Sequence, residues 1–508
     1  MNRIYLEHHP LRSLTRAKSS ARDEWWSFFL RAFDLLFGLR KGEPMFRRLV
    51  PLWVIVSTIL AGGSAHAQKP FPHDLIPKRT ALERLGLERQ WFGVIPLVET
   101  ERLMKITLAG DLLFAQTDYA IVHAFEAESG RLLWSAQLGE RTGFARGVTA
   151  NSFAVYLTNA NHLHALDKKT GRRIWQHNLG TIPTSTPACN DDYLMIGMTT
   201  GKLTTLRLKQ IDTNGNQKIL MTPVEAWTWH TGGPILTRPL PAGQFAAYGS
   251  NDGVTSVVES NDGTPLYRIT SGGPVGEGLG ALGTRLLLIP SGDNNLYGVD
   301  LLTAKVLWSF ASGAPIAQEP MVVGQDVYTI NTAGNMTMVD PATGESRWTQ
   351  PTQGGRLAAV SDTKLYLRSY NLDLFVMDRR TGRTILDPGE SHVGAGLNLR
   401  EYDLDVVNRF NDRIYFATSS GMIICLRETG HPQPHPLRDP KSLPFGYVPP
   451  EGLKPTPPVV PVAEPGAEPK NEPAAPGADD AAAPAGKEKA TPPADEKEKE
   501  KEPADAPK

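Results

Sequence analysis

The sequence predicts an all-β fold, an eight-bladed β-propeller with four-stranded antiparallel blades, its ring closed by an N-terminal strand and followed by a disordered Pro/Ala/Glu/Lys-rich C-terminal tail. Three observations carry this expectation. A short turn motif returns about every forty residues; the stretches between are short alternating runs rich in Val, Ile, Tyr and Thr; and a strand is missing at the end of the array while a spare one stands at its start. The motif is clearest at Ala165-Leu166-Asp167-Lys168-Lys169-Thr170-Gly171-Arg172-Arg173-Ile174-Trp175, and weaker copies end at Trp134, Tyr267, Trp308, Trp348 and Leu386. Its turn glycines, or the residue replacing them, are Gly130, Gly171, Gly263, Ala304, Gly344, Gly382 and Gly430, spaced 41, 92, 41, 40, 38 and 48 residues. The long interval is two periods with an insertion around Gly215 and a further strand at Trp227, which brings the anchors to eight.

Each part of the motif has a physical task. Asp167 can accept hydrogen bonds from turn amides, Thr170 does so more weakly, and Gly171 reaches positive φ without a steric penalty, so the reversal before an outer strand is defined. An aromatic projecting from that strand then fills the wedge between blades, removing on the order of 150–250 Å² from water. Trp134, Trp175, Trp308 and Trp348 are therefore expected to be structural docking residues. The last unit stops at Gly430, where an outer strand should begin. Gln90 to Leu97, with Trp91, precedes the first complete unit and is expected to supply that strand, which leaves the ring no open edge.

The ends read differently. Arg47 and Arg48 precede the apolar run Leu49 to Ala61, and Ala65-His66-Ala67 forms a small-residue cleavage site. Residues 1–67 are expected to be an N-terminal extension and signal peptide, with translation starting at Met45 and cleavage after Ala67, so that the mature chain begins at Gln68. Residues 68–89 follow as a leader, 90–439 as the propeller and 440–508 as the tail, whose prolines and alternating charges favour an extended, solvated chain. These features imply a periplasmic or secreted protein, a monomer that is not an integral membrane protein after cleavage. No Cys follows the cleavage site, so a lipid anchor is not expected.

With 53 Lys plus Arg against 54 Asp plus Glu, a nucleic-acid coating role is excluded as the main activity. Cys189 and Cys425 are too few for a disulfide framework or a four-cysteine zinc site. Gly278 to Gly283 fits a dinucleotide-loop pattern, but it runs into a strand-like segment and is expected to be a turn between units. His162 with His164 reads as hairpin surface. His431 with His435 is interrupted by prolines and is not expected to bind zinc. Asp403 and Asp405 form the nearest acidic cluster and read as a solvent-facing loop.

The A-x-D-x-x-T-G-x-x-x-W motif, complete at Ala165 to Trp175 and partial elsewhere, resembles the tryptophan-docking repeat of the pyrroloquinoline-quinone-like (PQQ-like) propeller family, here over residues 90–430. The resemblance implies the fold and two kinds of activity. Quinoprotein dehydrogenases bind the quinone and calcium at one end of the ring and, in the alcohol-oxidising branch, carry adjacent cysteines that this chain lacks; a non-enzymatic BamB-like branch binds proteins. The second is expected here: no catalytic, cofactor-binding or metal residues, no cofactor, and envelope or outer-membrane proteins as partners. PQQ and calcium belong to the alternative, a PQQ-dependent sugar or alcohol dehydrogenase. A cell-surface sensor or polymer-binding propeller is a third possibility.

Overall fold

The computed structural model describes residues 75–141, 145–211 and 217–449. Its strands form eight four-stranded antiparallel sheets. Seven are meanders of consecutive strands, spanning 103–137, 148–178, 188–230, 240–270, 280–311, 321–351 and 356–386, and are numbered here blades 1 to 7. Blade 8 joins the two ends of the repeat array. Its outer strand is β1 (Leu87–Val94), hydrogen-bonded antiparallel to β32 (Met422–Glu428), with Trp91 opposite Cys425 and Val94 opposite Met422. The expected closure is therefore present, and it begins at Leu87.

Strand sequence follows strand position. Second strands such as β3 (Leu112–Thr117) and β7 (Ala154–Asn159) lie between blades on both faces, and every residue of each is buried. Outer strands such as β5 (Leu132–Gln137) and β9 (Arg173–Asn178) bury only the tryptophan. The insertion in the repeat is an extension of the last hairpin of blade 3, between β12 (Lys202–Ile211) and β13 (Gln217–His230).

Because each blade is an antiparallel meander, the turns between its first and second strands share one side of the ring with the Asp-Thr-Gly turns. The connections between blades open on the other side. The innermost strands are stitched blade to blade: Leu103 N donates to Ser419 O at 2.9 Å, Thr184 Oγ1 to Ile235 O at 2.7 Å, Arg238 N to Glu277 O at 2.7 Å, and Asn408 N to Ala358 O at 2.8 Å.

The leader and the first residues of the expected tail pack on the propeller. From Leu75 onward the leader packs on blades 7 and 8: the short helix α1 (Arg79–Glu83) buries Ala81 and Leu82 among Leu397, Leu399 and Tyr402, and Tyr402 donates to Leu75 O at 2.9 Å. At the other end, residues 431–448 form a strap that visits the inner turns of five successive blades. His435 N donates to Asp412 Oδ1 of blade 8 at 2.9 Å, and the His435 ring faces Asp362 of blade 7. Leu437 O accepts from Gly324 N of blade 6 at 3.1 Å; Gly446 N donates to Thr284 O of blade 5 at 2.9 Å and lies against Ala242 and Gly243 of blade 4. Leu437 and Phe445 are buried. The boundary expected at residue 439 thus falls inside the strap, since the compact unit extends to Val448. Proline spacing had suggested a solvated chain, but Leu437 and Phe445 each meet a groove between blades.

Removal of 449–508 is expected to leave the melting temperature within about a degree or two. Removal of 431–508 is expected to lower it by several degrees, since two buried apolar anchors are lost at about 1.5–3 kcal/mol each. Thermal denaturation of the two truncations checks this, and equal melting temperatures would contradict it.

Candidate functional site

The seams between blades are built by the tryptophans. A β-carbon added to Gly171 would lie 2.5 Å from the Trp134 ring; the same holds for Gly130 under Trp91 at 2.4 Å, Gly263 under Trp227 at 2.7 Å, Gly344 under Trp308 at 2.7 Å and Gly382 under Trp348 at 2.6 Å. Each indole therefore lies flat on the next blade's turn, at a contact only glycine permits. Most also donate from Nε1 to the carbonyl three residues before that glycine: Trp91 to Ala127 O at 2.9 Å, Trp134 to Lys168 O at 3.0 Å, Trp227 to Ser260 O at 2.9 Å and Trp308 to Pro341 O at 2.8 Å. Trp348 Nε1 has no acceptor. In blade 4 the phenol of Tyr267 does the same task, donating to Leu301 O at 2.7 Å beside Ala304, itself at φ 60°.

The turn under Trp134 shows why the motif has its spacing. Asp167 Oδ1 accepts from the Thr170 hydroxyl at 2.7 Å and from the amides of Thr170 at 2.8 Å and Lys169 at 3.2 Å, and Gly171 follows at φ 68°. The Thr170 hydroxyl in particular holds the Asp167 carboxyl below the usual carboxylate range. Trp175 meets no such glycine, because the corresponding turn of blade 3 is the extended hairpin. It packs on Tyr156 with ring centroids 5.9 Å apart, within the cluster containing Leu194, Ile196 and Leu206.

Blades 7 and 8 lack a docking tryptophan between them, since Leu386 replaces it and Gly430, where the chain leaves β32, has no side chain above it. Polar contacts serve instead. Glu428 accepts from Ser361 at 2.8 Å and from the Tyr366 hydroxyl, and the buried Arg368 guanidinium lies 4.3 Å from the Phe416 ring centre while donating to Tyr402 O at 2.8 Å.

The interior of the ring is crossed by charge. Glu319 of blade 6 accepts from Arg409 of blade 8 at 2.6 Å and from Arg238 of blade 4 at 3.0 Å, joining three blades that are not neighbours. Among the described residues, no group of three or more His, Cys, Asp or Glu is placed to hold a metal ion.

Other residues singled out in the sequence are dispersed. Cys189 and Cys425 are free thiols in blades 3 and 8; burial pushes the first up to about 12 and the second also upward, so neither is a ready nucleophile. Asp403 accepts from Ser419 N at 2.7 Å, and Asp405 lies in the inner strand of blade 8. Gly280–Leu282 is the inner strand of blade 5 and not a turn between units; the carboxylate of Glu319 lies against Gly278, where any β-carbon would collide with it. His164 is not hairpin surface. It is buried with neither ring nitrogen hydrogen-bonded, and burial lowers it to about 4. Ala65, Ala67 and Gln68 lie outside the described residues.

The side of the ring opposite the strap carries exposed apolar residues on its connections. It exposes Ile182 and Leu236 on neighbouring connections, and Tyr370 at 85% and Val393 at 82% on the connections of blades 7 and 8. Two guanidinium groups on the same side are paired with carboxylates: Arg141 with Asp118 at 2.6 Å and over the Tyr119 ring, and Arg400 with Asp373 at 2.9 Å. Sequence periodicity does not reveal this surface, because its residues lie in irregular connections outside the repeat.

The Trp91→Phe and Trp227→Phe variants, which orphan a buried carbonyl, are expected to lose about 1–2 kcal/mol more than Trp348→Phe, whose indole makes no such bond. Chemical denaturation checks this, and equal losses would contradict it. Burial of neutral His164 makes a second expectation. Its native pKa lies below the ordinary value, so the unfolded chain binds more protons, and its contribution is complete above about pH 6.5 and lost as pH falls toward 4, by up to about 3 kcal/mol. His164→Gln should flatten the acid limb of a stability–pH curve; an unchanged limb would contradict the assignment.

Comparison with known proteins agrees with the geometry. The chain is 24% identical over 302 residues, 53% of this chain and 74% of the relative, to outer membrane protein assembly factor BamB of Moranella endobia. It is 22% identical over 334 residues, 61% of this chain and 73% of the relative, to the protein of that name from Shewanella oneidensis. The crystal structure of BamB from Moraxella catarrhalis superimposes with a TM-score of 0.54 at 16% identity, covering 68% of this chain and 98% of that one. No helix among the described residues is long and apolar enough to cross a membrane. A family model described as outer membrane protein assembly factor BamB matches residues 88–232 and 250–443, more than half of the sequence, and the chain belongs to this family of PQQ-like β-propellers.

Proposed function

We propose that the protein is a non-catalytic, BamB-like scaffold of the cell envelope that binds outer-membrane assembly proteins. The observation that carries this reading is the unequal use of the two sides of the ring. One side is bound by the chain's own strap from blade 8 to blade 4, and the interior is crossed by Arg238, Glu319 and Arg409. The other side presents exposed apolar residues beside fixed arginines, the mixture that suits a protein interface. The names of the relatives point to outer-membrane assembly as the setting.

The quinone alternative fits the residues poorly. Its alcohol-oxidising form needs adjacent cysteines, whereas Cys189 and Cys425 stand in blades 3 and 8. The charged groups inside the ring are engaged with one another, and the scaffold reading requires neither PQQ nor calcium.

Photo-crosslinking residues placed at Tyr370, Val393, Ile182 and Leu236 in living cells, with Ser442 on the strap as the opposite-side control, test the proposal. Crosslinks to outer-membrane assembly proteins are expected from the first four and not from Ser442. Absence of such crosslinks from the open side, or dye reduction that depends on PQQ and calcium, would contradict it.

A further inference from the structure

The charged interior follows a rule of position. In blades 2 to 6 the residue two before the innermost strand is Arg146, Thr186, Arg238, Gly278 and Glu319 in turn, ahead of strands Val148–Ala150, Ala188–Cys189, Leu240–Ala242, Gly280–Leu282 and Met321–Val323. These positions adjoin one another as a belt. Thr186 Oγ1 donates to Arg146 O, Arg238 forms a parallel bridge with Gly278, and the Glu319 carboxylate lies against Gly278. Lys105 of blade 1 joins them, its Nζ 3.4 Å from Arg146 O. Arg238 and Glu319 face the ring axis, since Arg238 reaches Glu319 past blade 5, and Arg409 of blade 8 reaches it past blade 7. Lys105 faces the axis as well. Burial holds it below the usual lysine range, and Glu277, ahead of the inner strand of blade 5 on the far side of the ring, pulls it the other way.

The belt is not neutral. Lys105, Arg146, Arg238 and Arg409 stand against Glu277 and Glu319, which leaves two positive charges in excess. The charges nearby in blades 7 and 8 cancel, Arg356, Arg368 and Arg400 against Asp373, Asp403 and Asp405. Like charges gathered in a partly buried space repel, and a counter-charge entering it is held more strongly than on an open surface. Entry is from the open side, because the belt precedes the innermost strands and those begin there. The clamp is reachable, with 41% of the Arg238 side chain and 29% of the Arg409 side chain exposed. Glu319 shows what it holds: one carboxylate oxygen accepts from both arginines. We propose that the belt receives an acidic segment of the partner protein, whose carboxylates enter the ring from its open side and pair with Lys105, Arg146 and Arg238. The inference rests on the scaffold reading and adds the chemistry of the partner: an acidic tip for the axis, flanked by apolar residues for Ile182, Leu236, Tyr370 and Val393.

Fluorescence anisotropy of labelled hexaglutamate on the exported full-length chain, with hexaglutamine as the neutral control, tests the belt. Hexaglutamate alone is expected to bind, and more weakly as salt is added. Its affinity is expected to fall about tenfold in the Lys105→Gln, Arg146→Gln variant and to rise about threefold in Glu277→Gln, which removes a competing carboxylate. A gain of affinity cannot come from misfolding. Arg172→Gln, Arg173→Gln, exposed changes at the outer turn of blade 2, should leave binding unchanged. Equal affinity in all variants, or citrate bound more tightly than the peptide, would overturn the acidic-segment site. Crosslinking from Tyr370 and Val393 keeps the two readings apart. Crosslinks undiminished by Lys105→Gln, Arg146→Gln would overturn the belt and leave the scaffold standing; charge-dependent peptide binding without any crosslinks would support the belt and contradict the scaffold.

Discussion

The contact on which the rest of this molecule depends is an indole lying flat on a glycine of the next blade. It occurs at five seams, under Trp91, Trp134, Trp227, Trp308 and Trp348. It explains why the turn motif has its form. Asp167 and Thr170 hold the reversal, Gly171 leaves room, and Trp134 from the preceding blade takes that room. A propeller blade is a small sheet with two broad faces to cover, and a repeated aromatic clamp covers them without requiring any one pair of blades to be unusual.

Where the clamp is absent, the structure substitutes other contacts. The seam between blades 7 and 8 relies on Glu428 with Ser361 and Tyr366, on Arg368 against Phe416, and on the helix and strand that the leader contributes. The strap passes over the same seam on its way around the ring. Closure is thus concentrated where the two chain ends meet, and it is more polar than the other seams.

Much of the fold was legible because its determinants are local and repeated. Aspartate, threonine, glycine and tryptophan at fixed offsets report a turn and its neighbour, and the spare Trp91 at one end matched the missing strand at the other. Gly430 misled in part, since it shares the motif's letters but no ring docks on it. The strap was not legible, because a proline-rich segment with a few scattered apolar residues carries no period, and only the grooves of blades 4 to 7 give Leu437 and Phe445 a place. His164 was misread for a similar reason: alternation along β8 (His162–Asp167) cannot show that both faces of a third strand are covered. The open side, carrying Tyr370 and Val393, lies in connections whose sequence obeys no repeat.

The central claim is that indole and glycine act as one unit across a seam. A double-mutant cycle on Trp134→Ala and Gly171→Ala measures it most directly, because the atoms that crowd Gly171 are all indole atoms beyond Cβ. If the pair is the clamp, each single change destabilises strongly, and the double variant loses much less than their sum, with a coupling on the order of 1–3 kcal/mol, because the added methyl no longer meets a ring. Additive losses would show that the two residues act separately and would contradict the account.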